Sequence, residues 1–534
     1  MSIKSKLLAL VLAAVLIAGF AAGCSNTPEV PSGPSPAAGS QSSNAGSSST
    51  QVPSQPEDDD PYAEHLTIRV SLITDDNVEG DVPAAIADMF NFTFDFDVSP
   101  KANPSEKFNL LIASGELPDF MINTVDNIYS YVGKGAFMAL DDIIDEKVPS
   151  LKKLMDENNT WRYDLSYNDG HLYYFPTVTN STTSTVYMVN ELWLKKAEQQ
   201  VPVTLDDWIT MLTAFRDTDI NGNGIQDEVP FTIRGNWTYI NFYEAFGIDN
   251  TFFIDEDQVK FGPYDPRMKD YLQLASQMYA DKLIDSEYIT MNSDLSRGKL
   301  TNNVSGSSYD SVSGIGKVNN VIDRSTGFRL VAVAPPVAVD GTIYTRHQGD
   351  KLSRERGGAI TTQAQEKNIE RILAWMDYIY TDEGSRLCGL GIEGKHWDYV
   401  DGVPAVSDFV MKNPDGVSVS DVLGDAFINQ AWPMRIHPVY ELSTVEPEVN
   451  DGRDLYAPIL APTFPRLKFT EGEQSTITST MAEAQTVVDE YINKFIMGTI
   501  SLDQFDSYIS TLESVGIEKV LEYYNASYQR YLAQ

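Results

Sequence analysis

The sequence predicts a large α/β protein with more than one domain. Its 534 residues exceed the usual size of a single domain, and 42% of them are hydrophobic, so the chain can bury a large core. The folded part opens with residues 66–72, where apolar residues alternate with polar ones as in a strand. Segments with strand and helix periodicity alternate from there on, which predicts a mainly parallel sheet wrapped by helices.

Hydrophobic periodicity and turn residues define the individual elements. Predicted strands cover residues 92–98, 119–122 and 229–233, and the first predicted helices cover residues 83–90 and 105–114. Longer helical patterns run through residues 205–215, 372–379, 487–495 and 505–512. Gly498 and Gly516 are expected to end the last two of these helices. On their amphipathic helices, Trp193, Trp208 and Trp375 are predicted to be core residues.

The charge balance excludes several classes of partner. Asp and Glu number 76 against 39 Lys and Arg, so the formal net charge is −37. Such a surface repels polyphosphates and anionic lipid headgroups, and the sequence has no long basic run that would offset this repulsion. We therefore expect no nucleic-acid partner, and membrane contact only through a lipid anchor.

The first residues have the layout of a bacterial export signal. Lys4 and Lys6 precede an apolar run at residues 7–23, which is short for a membrane-spanning helix and ends in small residues. The sequence Ala21-Ala22-Gly23-Cys24 resembles a lipobox, with Ala21 where Leu is more common. This resemblance implies that residues 1–23 are a lipoprotein signal peptide and that Cys24 becomes the acylated first residue. The alternative is an ordinary secretory signal with an incidental cysteine.

A linker and a single further cysteine follow. Residues 24–61 are rich in Ser, Gly and Pro and have almost no large apolar residue, which predicts a disordered tether that holds the folded body clear of the membrane. Once Cys24 is acylated, only Cys388 remains, so no intramolecular disulfide can form. Cys388 ends a predicted helix and is expected to be a small buried residue rather than a reactive thiol.

One local motif, at residues 217–228, indicates a metal site. It reads Asp-Thr-Asp-Ile-Asn-Gly-Asn-Gly-Ile-Gln-Asp-Glu, with acids and amides on alternate residues and glycines that permit a tight turn. An EF-hand-like register would start at Asp217, but it displaces the expected apolar residue to Ile225. A shorter register takes its oxygens from Asp219, Asn221, Asn223, Ile225 (through its carbonyl), Asp227 and Glu228.

We favour the shorter register, with Ca²⁺ in a structural role. Without a cation, the carboxylates gathered in this short loop would repel each other. The alternative is an Asx turn without an ion, because Asp, Asn and Gly favour turns in any case. The loop leads into the predicted strand at residues 229–233. A metal here would stabilise the connection between that strand and the predicted helix before the loop.

Other motifs give weaker signals. Residues 389–394, Gly-Leu-Gly-Ile-Glu-Gly, fit the dinucleotide-binding pattern, but they follow a predicted helix where that fingerprint requires a strand. The histidines lack the spacing of zinc ligands, and neither a nucleophile elbow nor a P-loop occurs. An acidic chain always offers two carboxylates for glycoside hydrolysis, so a carbohydrate-cleaving enzyme stays as an alternative.

An ordered series of segments carries a family resemblance. It comprises residues 111–119, 169–176, 192–196, 202–208, 219–228, 375–384, 391–394, 464–465, 469–470, 494–498 and 528–531. Together they resemble family 1 solute-binding proteins of carbohydrate-importing ABC transporters, in the branch that contains lipoproteins of Gram-positive bacteria. The resemblance covers nearly everything from Leu66 to Gln534.

This resemblance implies a two-lobed periplasmic-binding-protein-like fold (type II), with a ligand cleft between two α/β lobes. The crossings are expected near residues 175–187, near residues 328–336 and after Cys388. The first lobe would then comprise residues 62–180 and 337–388. The second lobe would comprise residues 181–336 and 389–534, with the calcium loop and the C-terminal helices.

The resemblance also implies a function. The chain would be a monomeric receptor, not an enzyme, that captures a carbohydrate, in particular an oligosaccharide, and delivers it to the permease of an ABC importer. A peptide or another non-sugar solute is the alternative ligand. The acidic composition disfavours an anionic sugar unless Arg435 or another cation lies in the cleft.

Sugars are held by flat aromatic faces and by polar side chains that bind hydroxyl groups. Four tryptophans in Gly-, Asn- or Pro-containing segments are harder to explain by packing and are therefore candidate ligand contacts: Trp161, Trp237, Trp397 and Trp432. Tyr239, Glu393, His396 and Arg435 stand near them in sequence. Asp126 and Asn127 follow the predicted strand at 119–122, on the side where open α/β sheets bind ligands.

Overall fold

Strands and helices alternate through the first part of the chain, as the periodicity predicts. The structure, a computed structural model, describes residues 61–100, 104–158, 160–179, 185–233, 240–345, 351–412, 419–428, 432–443, 445–461 and 463–534. Cys24, the predicted signal peptide and nearly all of the predicted linker lie outside these residues. No helix among the described residues is long and apolar enough to cross a membrane.

The strands are β1 Leu66–Ile73, β2 Phe92–Ser99, β3 Phe120–Asn123, β4 Phe175–Val178, β5 Thr185–Asn190, β6 Val229–Ile233, β7 Phe252–Asp255, β8 Gln258–Phe261, β9 Ser305–Ser311, β10 Leu330–Val333, β11 Leu352–Ile360, β12 Trp397–Val400 and β13 Val403–Val406.

The helices are α1 Asp81–Met89, α2 Pro104–Ser114, α3 Val125–Val132, α4 Asp141–Lys147, α5 Pro149–Asp156, α6 Trp161–Leu165, α7 Glu191–Lys196, α8 Leu205–Asp217, α9 Met268–Ala280, α10 Ser293–Thr301, α11 Val312–Asn319, α12 Glu366–Tyr380, α13 Asp382–Leu390, α14 Asp408–Met411, α15 Val419–Asp425, α16 Pro438–Ser443, α17 Pro447–Tyr456, α18 Glu471–Ile496, α19 Phe505–Val515 and α20 Ile517–Leu532. As expected, Gly498 and Gly516 follow α18 and α19 with positive φ, at 66° and 103°.

A first sheet organises the amino-terminal lobe. Its strand order is β2-β1-β3-β11-β4, with β1 parallel to β2 and β3, and β11 antiparallel to both β3 and β4. The carboxyl ends of β1, β2, β3 and β4 therefore lie along one edge of this sheet. Helix α3 begins at this edge, directly after β3.

A second sheet, in the order β10-β5-β9-β6, organises the other lobe. Strand β5 is buried along its whole length, because its alternate side chains enter two different cores. Tyr187 and Val189 face a core shared with α8, α9 and the C-terminal helices, whereas Val186 and Met188 face a smaller core with α11 and α17.

The chain crosses between the two lobes three times among the described elements. The first crossing joins β4 to β5, and the second joins β10 to β11. The third lies between Met434, in the first core, and Val449, in the smaller core of the second lobe. This last crossing lies far beyond Cys388 in the chain.

The structure differs from two sequence-based expectations. The sheets are mixed rather than mainly parallel, since among the described strands only β1 with β2 and β3, and β6 with β9, pair in parallel. In addition, residues 410–434 were assigned to the second lobe, yet Val410, Phe427 and Met434 pack in the first core. Helical periodicity shows which face of a segment is apolar, but it does not show which core will cover that face.

Candidate functional site

A cavity of about 630 Å³ opens between the two lobes, and it is hereafter called the interlobe cavity. Residues of α3, α6 and the turn after α6 form one wall, and residues 466–468 with the first turns of α18 form the other. The lining residues are Asp126, Tyr129, Ser130, Asp164, Ser166, Tyr167, Asn168, Arg466, Leu467, Lys468, Gln474 and Thr478. A solute in this cavity can touch both lobes at once.

The first-lobe wall combines a carboxylate with two tyrosine rings. The side chain of Thr124 caps α3 and places Asp126 in the first turn of the helix, at the carboxyl end of β3. Tyr129 donates a hydrogen bond of 2.7 Å from its hydroxyl to the Leu165 carbonyl, and its ring lies 5.1 Å from that of Tyr167. Flat ring faces beside a carboxylate are suited to the C–H and hydroxyl groups of a sugar.

A smaller cavity of about 210 Å³ adjoins the first one, and both are lined by Asp164 and Arg466. Trp161, Tyr531 and Lys351 also line this second cavity. The two cavities thus have two lining residues in common.

The second-lobe wall comes from α18 and from residues 463–470, a segment hereafter called the strap. Gln474 and Thr478 lie one helical turn apart on α18, and the Gln474 amide donates to the Thr478 hydroxyl over 3.3 Å. Ile477, between them in sequence, is buried in the second core. The helix is therefore fixed with its amide and hydroxyl groups toward the cavity.

Two cations on the strap also line the cavity. Arg466 donates to the Tyr174 hydroxyl over 3.0 Å and to the Leu352 carbonyl, both in the first lobe. The Lys468 ammonium contacts Ser166 Oγ and lies 3.7 Å from the centroid of the Tyr163 ring. Burial lowers the pKa of Lys468 to about 8, although the Asp164 and Asp169 carboxylates act in the opposite direction.

Some of the predicted ligand contacts lie at this site. Asp126 lines the interlobe cavity, and Trp161 lines the adjoining cavity. Asn127 is on the same helix turn as Asp126, and its amide donates to Asn123 Oδ1 over 2.7 Å. The backbone of Arg435 pairs with Val178 at the carboxyl end of β4, on the same edge of the first sheet.

Glu393, His396 and Trp397 lie elsewhere, around the β12–β13 hairpin. Trp397 is only 4% exposed and donates from its indole nitrogen to the Gly391 carbonyl over 2.9 Å. His396 is 1% exposed, accepts from the Ile392 N–H, and lies 3.3 Å from Asp81. Glu393 is exposed. Neither cavity is lined by any of these residues.

Trp432 is a core residue, contrary to expectation. It is 0% exposed, and its ring packs 5.1 Å from Trp375 and 5.6 Å from Phe94. The Gly-, Asn- or Pro-containing segment around it misled the prediction, because a residue in an irregular segment can still point into a core. Trp237 and Tyr239 lie outside the described residues.

Sequence reasoning missed most of the cavity wall. Tyr129 and Tyr167 belong to segments whose periodicity shows only a buried face, and Gln474 and Thr478 are ordinary polar residues of a helix. Lys468 directly precedes the Phe469-Thr470 pair that contributed to the family resemblance, and that position was the one available signal. The other wall residues could not be predicted, because the cavity forms only where the two lobes meet.

Hydrogen bonds and an ion pair hold the acidic residues of the loop at residues 217–228. Asp217, the first residue of the EF-hand-like register, is ion paired with Arg216 at 2.7 Å. Within the shorter register, Asp219 accepts from the N–H groups of Gly222 and Gly224, each of which has a φ of 77° that favours glycine. Asp227 accepts from the amide groups of Asn221 and Asn223.

Glu228 provides the test of whether this loop fits a cation. Its carboxylate is 8% exposed, and one oxygen accepts from the Ile220 and Asn221 N–H groups. The other oxygen, Oε2, is buried and has no hydrogen-bond partner among the described residues. A buried carboxylate oxygen without a donor is stabilised by a cation, and the surrounding oxygen donors are those that Ca²⁺ prefers.

These residues therefore fit Ca²⁺, although their side chains are turned toward backbone and amide donors. Within the described part of the chain, no three His, Cys, Asp or Glu side chains converge as metal ligands. Metal binding at this loop would thus require Asp219 and Asp227 to exchange hydrogen bonds for metal contacts.

Comparison with known proteins identifies relatives of this chain. The family described as bacterial extracellular solute-binding protein matches residues 85–386. The fructooligosaccharide ABC transporter substrate-binding protein FusA of Streptococcus pneumoniae is 30% identical over 309 residues, which cover 52% of this chain and 53% of FusA. The chain thus spans about half the length of that relative.

Two further proteins resemble the chain over more of its length. The polygalacturonan/rhamnogalacturonan-binding protein YtcQ of Bacillus subtilis is 23% identical over 482 residues, covering 83% of this chain and 87% of YtcQ. The crystal structure of the alginate-binding protein AlgQ2 without calcium ion superposes with a TM-score of 0.71 at 24% identity, covering 88% and 99% of the two chains. An EF-hand mutant of FusA in complex with fructo-nystose gives a TM-score of 0.70 at 22% identity, covering 88% of this chain and 99% of the FusA chain.

Proposed function

The chain belongs to the bacterial extracellular solute-binding protein family, and from this premise we propose that it captures an oligosaccharide and delivers it to the permease of an ABC importer. One observation carries the proposal. Tyrosine rings line the interlobe cavity from the first lobe, and side chains that bind hydroxyl groups line it from both lobes. A ligand that touches both walls favours the closed arrangement over the open one.

The names of the relatives support a carbohydrate rather than a peptide. FusA is named for fructooligosaccharides, YtcQ for polygalacturonan and rhamnogalacturonan, and AlgQ2 for alginate. All three are binding proteins, and we propose that this chain likewise has no catalytic activity and acts as a monomer.

A thermal-shift screen of the purified protein tests the proposal. Because a ligand stabilises the folded state by mass action, an oligosaccharide at about 100 times its Kd should add roughly 2.7 kcal/mol to the free energy of unfolding. Peptides serve as the control set. Stabilisation by peptides and by no sugar would contradict the proposal. Cleavage products after long incubation with a labelled sugar would show that the protein is an enzyme.

We propose that the loop at Asp219–Glu228 binds a structural Ca²⁺ through Asp219, Asn221, Asn223, the Ile225 carbonyl, Asp227 and Glu228. Support comes from the buried Glu228 oxygen that has no hydrogen-bond partner in the described part of the chain and from the FusA mutant described as an EF-hand mutant. When bound, the ion would neutralise carboxylates that otherwise repel each other, and it would fix the connection between α8 and β6.

Calcium titration followed by thermal unfolding tests this site. Addition of Ca²⁺ should raise the Tm of the wild type, and the double substitution Asp227→Asn with Glu228→Gln should abolish that rise. Asp217→Asn is the matched control, since Asp217 belongs only to the longer register and pairs with Arg216. A wild-type Tm that does not respond to EDTA or to Ca²⁺ would contradict the proposal.

We propose that the protein is exported and held on the outer face of the cytoplasmic membrane by a lipid on Cys24. The apolar run before Cys24 and the Ser/Gly/Pro-rich linker after it support this location, as does membership of an extracellular family. Labelling with a fatty-acid analogue should mark the wild type and not Cys24→Ala. Equal labelling of the wild type and the variant would contradict a lipid anchor on Cys24.

A further inference from the structure

We propose that Lys468 is a specificity-determining residue of the interlobe cavity, whose ammonium donates hydrogen bonds to oxygen atoms of the bound sugar. This inference rests on the proposed function and goes beyond it, because it names a side chain that recognises the ligand. It also implies that capture is coupled to a proton.

Position is the first argument. Lys468 lines the interlobe cavity. It lies on the strap, which is bound to the second lobe on the side away from the cavity. The Lys468 carbonyl accepts from Ser527 Oγ at 2.6 Å and from Arg530 at 2.9 Å, and the next residue, Phe469, packs against the second core. The ammonium is thus carried by one lobe and reaches across to the other.

Unused donor capacity is the second argument. An ammonium has three N–H donors. Among the described residues, the Lys468 ammonium makes one hydrogen bond, to Ser166 Oγ, and its other contact is with the face of the Tyr163 ring. The Ser166 hydroxyl itself donates to the Tyr163 carbonyl over 2.9 Å, so it is fixed as an acceptor. The remaining donors are available for oxygen atoms in the cavity.

The electrostatic surroundings are the third argument. Asp164 and Asp169 act on Lys468 through space, but desolvation outweighs them and lowers its pKa to about 8. Tyr163, which contacts the ammonium, has a pKa raised above its ordinary value mainly by burial. The other charged or titratable groups that line the same cavity are Asp126, Tyr129, Tyr167 and Arg466, and Arg530 of α20 donates to the Lys468 carbonyl. The ammonium is therefore short of stabilising partners until a ligand supplies them.

The consequence for binding follows from linkage. Ligand oxygens that accept from the ammonium stabilise its charged form and raise its pKa above the value of about 8 in the free protein. The contribution of Lys468 to affinity is then complete below about pH 8 and is lost as the pH rises through the higher pKa of the complex. Binding near pH 8 takes up part of a proton.

The test uses the full-length protein and isothermal titration calorimetry with three probes: fructo-nystose, an alginate oligosaccharide and an oligogalacturonide. For whichever probe binds, Lys468→Met should weaken the affinity about tenfold at neutral pH. Lys468→Arg should retain most of the affinity but lose its dependence on pH between about pH 7 and about pH 9.5, because arginine stays charged throughout. Titrations in buffers of different ionisation enthalpy should show proton uptake by the wild type and none by Lys468→Arg.

Lys494→Met is the matched control. Lys494 also contacts a tyrosine ring, at 6.0 Å from Tyr491, but it is ion paired with Glu490 on the exposed face of α18 and should leave affinity unchanged. Thermal unfolding of each variant checks that it folds. Sugar binding that is indifferent to Lys468 and to pH overturns this inference alone. If the wild type binds none of the three probes, this inference is overturned. If, in the thermal-shift screen, peptides and no sugar stabilise the protein, the proposed function is overturned as well.

Discussion

One tyrosine hydroxyl organises a buried polar cluster in the second lobe. Tyr187 donates to Glu244 over 3.1 Å and accepts from the Phe242 N–H over 2.9 Å. Burial first, and then the Glu244 carboxylate, raise the pKa of Tyr187 well above its ordinary value, so the hydroxyl keeps its proton and can donate. Phe242 has a φ of 69°, a strained conformation for a bulky residue, and this hydrogen bond helps to hold it.

Tyr187→Phe should destabilise the protein by roughly 1–3 kcal/mol, because the buried Phe242 N–H loses its acceptor and Glu244 loses a hydrogen bond. Urea unfolding measures this change. Tyr399→Phe is the control, since Tyr399 is 47% exposed on the β12–β13 hairpin. Equal stability of the two variants would show that the hydroxyl of Tyr187 does not stabilise the backbone conformation at Phe242.

Two glycines give opposite expectations on substitution by alanine. A Cβ at Gly262 would lie 1.5 Å from the Asp249 carbonyl oxygen, so Gly262→Ala must displace backbone and should cost about 3 kcal/mol or more. A Cβ at Gly298, within α10, would meet nothing within 4 Å, so Gly298→Ala should stabilise the protein by about 0.5–1 kcal/mol. The two Tm values, measured side by side, test the backbone packing, and a tolerated Gly262→Ala would contradict it.

Burial of single residues could be predicted where a helix sets the pattern. Trp193, Trp208, Trp375 and Cys388 are all 0% exposed, as expected from their helical positions. The pKa of Cys388 is raised to about 12 by burial, which agrees with a packing role rather than a reactive one. Trp432 was misjudged because no local pattern reports how an irregular segment packs.

Among the elements, helices and strands were predicted better than their pairing. The predicted strand at residues 66–72 and helix at residues 105–114 correspond to β1 and α2. Strand direction was not predictable from alternation, because β11 returns from the second lobe and enters the first sheet antiparallel to both of its neighbours. The interlobe cavity was unpredictable for a related reason, since α3 and α18 are more than 300 residues apart in the chain.

The turn before β12 depends on a neutral histidine. Nδ1 of His396 accepts from the Ile392 N–H at 3.0 Å, so the proton of the neutral ring is on Nε2, which faces Asp81 at 3.3 Å. Burial lowers the pKa of His396, against the opposing effect of Asp81. Protonation of Nδ1 would remove this hydrogen bond, which supports the turn together with the backbone bonds from the Lys395 and His396 N–H groups to the Ile392 carbonyl.

Acid should therefore destabilise this element. At pH values above about 6.5, His396 is neutral in both the folded and the unfolded chain, and its contribution to stability is complete. As the pH falls below that value, the unfolded chain binds the proton first, and stability is lost until the lower pKa of the folded protein is reached. The free energy of unfolding, measured in urea from about pH 7 to about pH 5, should fall less steeply in His396→Gln than in the wild type. Identical slopes would contradict this role.

At the scale of the whole molecule, the strap connects the lobes in addition to the crossings. Phe469 packs against the second core, whereas Arg466 reaches Tyr174 and Leu352 in the first lobe. The rings of Tyr163 and Tyr531, 5.5 Å apart, add a contact between α6 and the C-terminal helix α20. These contacts favour the arrangement in which the interlobe cavity has two walls.

Arg466→Met should shift the free protein toward a more open arrangement. The substitution keeps much of the side-chain volume but removes the hydrogen bonds to Tyr174 and Leu352, so the arrangement in which both lobes line the cavity loses stability relative to open ones. Small-angle X-ray scattering should show a larger radius of gyration without ligand. Sugar affinity should fall in proportion to the reduced population of the closed state. The control is Arg386→Met, because Arg386 pairs with Asp382 within α13 of the first lobe. If Arg466→Met and the control scatter alike, the strap does not set the relation between the lobes, and closure depends on the crossings and the ligand alone.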